Sequence, residues 1–179
     1  MLSPAEADLV RRDPGLPGLA DVLDAGRFAA LLGRLLPGAG PTEARVRYVK
    51  YKPAVSCLVG YQLRTAGGEL LAHAKVYRSG AREKWLKAES RPSVATALGP
   101  GRVVDAASAV VVSLFPNDAH LGALGRLADE TARRQLIRRL IPEQPKLRKG
   151  TLEHLTYKPE RRYVTRLTRK GQPRGQTKA

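Results

Sequence analysis

Apolar residues recur at two different periods along this chain, and the change of period divides it. Before residue 43 the spacing is helical. Ser3-Pro4-Ala5-Glu6 has the form of a capping box with proline at the first helical position, which predicts a short helix through Arg12. Pro14, Gly15, Pro17 and Gly18 break that helix. In "ADVLDAGRFAALLGRLLPGAGP", Phe28, Leu31, Leu32, Leu35 and Leu36 fall on one helical face, so one or two helices are expected before Pro37-Gly38.

From Glu43 the period shortens to two. "EARVRYVKY" alternates its faces, "SCLVGYQLRT" and "ELLAHAKVY" are rich in β-formers, and Gly67-Gly68 between them is a turn signal. Strands over 44–51, 56–64 and 69–77 make a small antiparallel meander. "GAREKWLKAES" reads as a helix stopped by Pro92, and 101–118 gives two more strands, the second strongly apolar. The segment 119–142 reads as a helical connector burying Leu121, Leu124, Leu127, Leu136, Ile137, Leu140 and Ile141. A second hairpin unit is expected over 150–170, with a basic tail at 171–179. The fold class expected is α+β: an antiparallel sheet with flanking helices, preceded by a helical segment at 1–42.

Tyr-Lys-Pro occurs twice, at 51–53 and 157–159, each time between two strand-like runs. Superposing the triplets at an offset of 106 residues (51 to 157) pairs Val46 with Leu152, Val49 with Leu155 and Leu58 with Val164. The expectation is a duplicated β-hairpin in which Pro53 and Pro159 each end a strand. The competing account is chance similarity between two basic strands.

Composition changes the picture in one respect. Among 179 residues, 32 Lys/Arg face 16 Asp/Glu, a formal net charge of +16, which favours anionic partners. The excess is concentrated after Pro142, and no acid follows Glu160. One cysteine, Cys57, permits no intrachain disulfide, and the N-terminus lacks the apolar run of a signal peptide. No stretch approaches the roughly 20 apolar residues that cross a bilayer, so a cytoplasmic protein without a membrane partner is expected. His73, His120 and His154 stand apart, giving no metal-ligand spacing, and no glycine-rich Walker or dinucleotide loop is present.

Lys75 draws attention because it lies within the apolar "LLAHAKVY". A lysine there is either an exposed strand residue or one that faces an anionic ligand. Three strands with the lysine on the third, then a helix bearing acids, then two strands, is also the order of a kinase small lobe. "VRYVKYKPAVSCLVGYQL" followed by "LLAHAKVY" resembles the N-terminal part of the aminoglycoside phosphotransferase and choline kinase-like enzymes over roughly 43–118. That resemblance implies ATP, with Mg, at Lys75. It further implies Glu83 or Glu89 as the lysine's partner, Ser56 in the phosphate loop "KPAVSC", and Leu114 and Phe115 at an adenine-binding hinge. Lys178 is the corresponding, weaker candidate in the second copy, since it follows Gly171 as Lys75 follows Gly68.

Two features depart from such an enzyme. No histidine is followed two residues later by an acid, so the catalytic-loop pattern His-x-Asp is missing. After residue 157 the chain given is also too short for a large lobe. The expectation is therefore an incomplete phosphotransferase with an ATP-binding small lobe, awaiting a C-terminal lobe or a partner chain. Two alternatives stand beside it: a nucleic-acid-binding module using the basic residues from Arg161 to Lys178, and a non-catalytic, pseudokinase-like regulatory domain.

Overall fold

The computed structural model describes residues 1–38 and 40–169. Lys178 and the basic tail lie outside them. The class is α+β, as the change of period implies. Three helices, α1 (Pro4–Arg12), α2 (Leu19–Leu23) and α3 (Ala25–Leu35), precede strands β1 (Glu43–Lys52), β2 (Ser56–Thr65) and β3 (Gly68–Tyr77). Helix α4 (Arg82–Glu89) and strands β4 (Arg102–Asp105) and β5 (Val110–Leu114) follow. Next come α5 (Leu124–Ala128), α6 (Glu130–Leu140), a short 3₁₀ turn and the hairpin β6 (Thr151–Lys158) and β7 (Arg162–Thr168). The five-stranded antiparallel sheet has the order β1-β2-β3-β5-β4, and β6-β7 form a sheet of their own.

Alternation gives the large sheet two unlike faces. One carries Cys57, Val59, Tyr61 and Leu63 of β2, with Ala72, Ala74 and Val76 of β3 and Val110, Val112 and Leu114 of β5. These meet Leu19, Val22, Phe28, Leu31 and Leu32 of α2 and α3 in a single core. Phe28 stacks on Tyr61, and the Tyr61 hydroxyl donates to the Val22 carbonyl, which satisfies the one polar atom of that ring in the core. The capping box at α1 forms as written, with the Glu6 amide donating to Ser3 Oγ and the Ser3 amide donating to Glu6 Oε2. The N-terminal helices are thus the buried layer of the sheet. The opposite face presents His73, Lys75, Val111, Ser113 and Arg102, and the second hairpin lies across part of it.

The segment 119–142 is not one helix. Asp129 interrupts it and caps α6 by accepting from the Ala132 amide. Of the expected apolar set, Leu124 and Ile137 are buried, whereas Leu140 is 70% exposed.

The likeness between the two segments extends in the structure beyond the hairpin. In each copy a five-residue helix ends on an aspartate, Asp24 or Asp129, that caps an eleven-residue helix. In each, a bulged hairpin then turns at Tyr-Lys-Pro, with Tyr51 opposite Cys57 and Tyr157 opposite Tyr163. Each turn has proline at its first corner and a non-glycine residue in the left-handed region at its second, Ala54 (φ 54°) or Glu160 (φ 56°).

The same device holds both turns. Asp13 Oδ2 accepts from the Tyr51 hydroxyl and from the Ala54 amide, each at 2.8 Å. Asp118 Oδ2 accepts from the Tyr157 hydroxyl at 2.8 Å and from the Glu160 amide at 2.9 Å. A left-handed non-glycine residue costs about 1–2 kcal/mol, and a charge-assisted hydrogen bond to its own amide offsets that cost. The motif is a clasp: tyrosine supplies a hydroxyl, proline bends the chain, and the next amide reaches the same carboxylate.

Candidate functional site

Three strands set a row of side chains across the face of the sheet opposite the core. The register pairs His73 with Ser113 and Arg102 with Ser113, while Lys75 lies beside Val111 and Leu58. Arg102 is fixed by two bonds, its Nε donating to Ser113 Oγ at 3.3 Å and its Nη1 to the Arg91 carbonyl at 2.7 Å. Burial, with Arg91 nearby, draws its pKa down from the usual arginine value. Helix α4 then brings Lys84 and Lys87, with Arg91 just beyond its end, to the same place, because steps of three and four residues return to one helical face. Lys75, Lys84, Lys87, Arg91 and Arg102 all line a cavity of about 210 Å³, joined by His73, Tyr77 and His120.

The acid in this cavity is Glu160, carried on the second Tyr-Lys-Pro turn. Its carboxylate grips the Lys75 ammonium with both oxygens, at 2.9 and 2.7 Å. The lysine side chain is 21% exposed and the glutamate 13%, so the pair sits well inside the protein surface. The Lys75 ammonium also lies 5.4 Å from the centre of the Tyr77 ring, and burial raises the Tyr77 pKa to about 12, helped by the Glu160 charge.

This corrects the expected pairing. Glu83 and Glu89 are exposed, and among the described residues neither forms an ion pair. The reason is angular. At 100° per residue Glu89 falls about 140° from Lys84, away from the cavity, and Glu83, at the edge of the Lys87 face, does not reach the lining either. Ser56 is buried at the start of β2 opposite Tyr77 and does not line the cavity. The expected hinge is likewise committed elsewhere. The Leu114 amide donates to the Gly101 carbonyl, the Phe115 amide donates to the Leu71 carbonyl, and the Leu114 carbonyl accepts from the Asn117 amide and side chain. The Phe115 ring packs against Tyr157 and Tyr163, so the second hairpin covers it. The amides of Leu114 and Phe115 and the Leu114 carbonyl are therefore already engaged within the protein. Of the described residues proposed from sequence, Lys75 alone lines the cavity.

The hairpin is seated by a buried chain of hydrogen bonds. The Tyr157 hydroxyl has one proton, which it gives to Asp118. His73 Nδ1, 3.1 Å from the same oxygen, must then carry the hydrogen that it donates to Tyr157. Burial pushes His73 down to about 4, outweighing the pull of Asp118 and Glu160, so the imidazole is neutral. Burial, together with the adjacent Asp118 charge, drives the Tyr157 hydroxyl up. For Asp118 itself burial acts upward. The amides of Glu160 and His120 and the Tyr157 hydroxyl outweigh it and hold the carboxyl below its ordinary value.

Gly60 completes the seat. A Cβ there would lie 3.1 Å from two ring carbons of Pro159, so glycine lets the second turn approach β2 without pushing that ring back.

Sequence reasoning missed Asp13, Asp118 and Glu160. The signal available for the two aspartates was their spacing, since Asp13 and Asp118 stand 105 residues apart, one fewer than the Tyr-Lys-Pro triplets. Among the described residues no helix is long and apolar enough to cross a membrane, and no group of three or more potential metal-ligating His, Cys, Asp or Glu residues occurs. No family model matches the chain, and no curated protein or solved structure does either.

Proposed function

We propose that this chain binds a phosphate-rich ligand, in the first instance a nucleotide with Mg, in the Lys75 cavity. In this reading it is the ligand-binding part of a phosphotransferase-like protein and does not itself transfer phosphate. The observation that carries it is the convergence of five cationic side chains on one cavity whose lining contains a single acid. Like charges assembled at this density repel one another, and an anion relieves that repulsion. The cavity, at about 210 Å³, is smaller than the roughly 300–1,000 Å³ of pockets that bury a drug-sized ligand. It suits a phosphate chain whose organic remainder lies outside. Arg102, fixed by its two hydrogen bonds, supplies a planar donor surface of the kind that grips phosphate oxygens. The catalytic-loop acid is missing from the sequence, which is why transfer itself is assigned to other parts or chains.

The test is thermal denaturation with and without ATP and Mg. At a hundred times its Kd, a ligand of the folded state stabilises by about 2.7 kcal/mol, or roughly 5–10 °C for a chain of this size. The shift should vanish in Lys75→Ala. An equal shift in that variant, or none in the wild type at millimolar nucleotide, refutes the reading. Binding to nucleic acid that weakens steeply with salt and disappears on deleting 160–179 would favour the basic-module alternative instead.

A further inference from the structure

We infer that Glu160 is a built-in anion occupying the Lys75 cavity, which a ligand must displace and which therefore sets how much negative charge that ligand needs. The inference rests on the phosphate-site reading above and adds to it the part played by the second repeat. Glu160 is the one acid in a lining with five cations, and it takes the Lys75 ammonium with both carboxylate oxygens. That two-oxygen grip is the contact a phosphate would make with the same lysine.

The placement of the backbone that carries the carboxylate does not depend on Lys75. The backbone of Glu160 is held from the other side, its amide on Asp118 Oδ2 and its neighbour Pro159 against Gly60. The side chain is thus delivered to the cavity by a clasp that stays closed when the carboxylate swings away. In the first copy the same left-handed corner is Ala54, and it is exposed. The clasp consequently needs no acid at this corner, and the Glu160 carboxylate is free of any role in forming the turn. A monoanion offers Lys75 nothing that Glu160 does not already provide. A ligand with several adjacent negative charges reaches Lys84, Lys87, Arg91 and Arg102 as well, and so outcompetes a single tethered carboxylate.

The experiment is isothermal titration of the full chain with inorganic tripolyphosphate, comparing wild type, Glu160→Gln and Glu153→Gln. Glu153 lies on the same hairpin, paired with Arg166 and outside the cavity, so its variant removes the same charge without emptying the site. Glu160→Gln should tighten tripolyphosphate at least tenfold, while Glu153→Gln changes it less than about twofold. Glu160→Ala, which also keeps the backbone clasp, should follow Glu160→Gln. Monophosphate should bind Glu160→Gln measurably and the wild type hardly at all. Tripolyphosphate binding that is unchanged or weaker in Glu160→Gln overturns the inference and makes Glu160 an aid to the lysine, with the phosphate site intact. Binding absent in every form, or indifferent to Lys75→Ala, removes the phosphate site and the inference together.

Discussion

The Asp118 clasp can be broken without changing the size of the side chain. In Asp118→Asn one carboxylate oxygen becomes an amide nitrogen. Asp118 Oδ1 accepts from the amides of His120 and Leu121, and Oδ2 from the Tyr157 hydroxyl and the Glu160 amide. An asparagine has a single acceptor oxygen, so one orientation sets its NH₂ against the amides of His120 and Leu121, and the other against the Glu160 amide alone, because the Tyr157 hydroxyl can turn and accept. The cheaper orientation leaves one donor unsatisfied, a loss of about 1–3 kcal/mol. The loss falls on the seating of the second hairpin, because the core between the large sheet and α2–α3 does not touch Asp118. Hydrogen exchange separates the two levels. Amides of β6 and β7 should exchange faster by about 5-fold to 150-fold, the factor that this range of free energy implies, while those of β2 and β3 keep their protection. Tyr157→Phe should produce a smaller change of the same pattern. Uniform loss of protection over both sheets, or no change in β6 and β7, would refute the view that one carboxylate fastens the hairpin.

The remaining predictions concern the residues beneath that clasp. His73, held neutral with its pKa lowered from 6.5 to about 4, binds its proton only in the unfolded chain between those values. Stability contributed by this residue is complete above pH 6.5 and is lost as the pH falls toward 4, a total of about 3 kcal/mol. Urea midpoints measured across that range should slope accordingly, and His73→Gln should flatten the slope. Asp118, whose pKa is lowered, adds a loss only at still lower pH. Gly60→Ala brings a Cβ within 3.1 Å of the rigid Pro159 ring and 3.3 Å of Tyr48 Cβ. It should destabilise by about 1–3 kcal/mol and speed exchange in β6 and β7. A gain in stability, as expected for an alanine replacing an unencumbered strand glycine, would show that Pro159 is not seated there.

What the sequence revealed, and what it hid, follows from the kind of bond involved. The strands announced themselves because period-two alternation is a local consequence of burying one face, and each strand of the meander lies where its pattern put it. The hairpin repeat was legible for the same reason, with Tyr-Lys-Pro fixing its register. The helical half of the repeat was not. Its offset is 105 residues (13 to 118) rather than 106, so one register cannot align both halves. Moreover, the first copy's helices serve a five-stranded core while Leu140 in the second stands exposed, which relaxes the apolar pattern that would have marked the likeness. The Lys75 partner was hidden for a different reason. A glutamate on the next helix, Glu83 or Glu89, is near in any guess drawn from sequence order, whereas Glu160 reaches Lys75 from 85 residues away. What brings it there is a long-range contact, one aspartate accepting from a tyrosine and an amide, that leaves no periodic trace. Tyr-Lys-Pro was visible as a word, but its meaning depended on a carboxylate that precedes it by 38 residues in one copy and 39 in the other. The two copies share that clasp and differ at the residue it presents. The clasp therefore supplies the scaffold in both copies, and the glutamate that stands where the other turn has Ala54 is what puts a carboxylate into the cationic cavity.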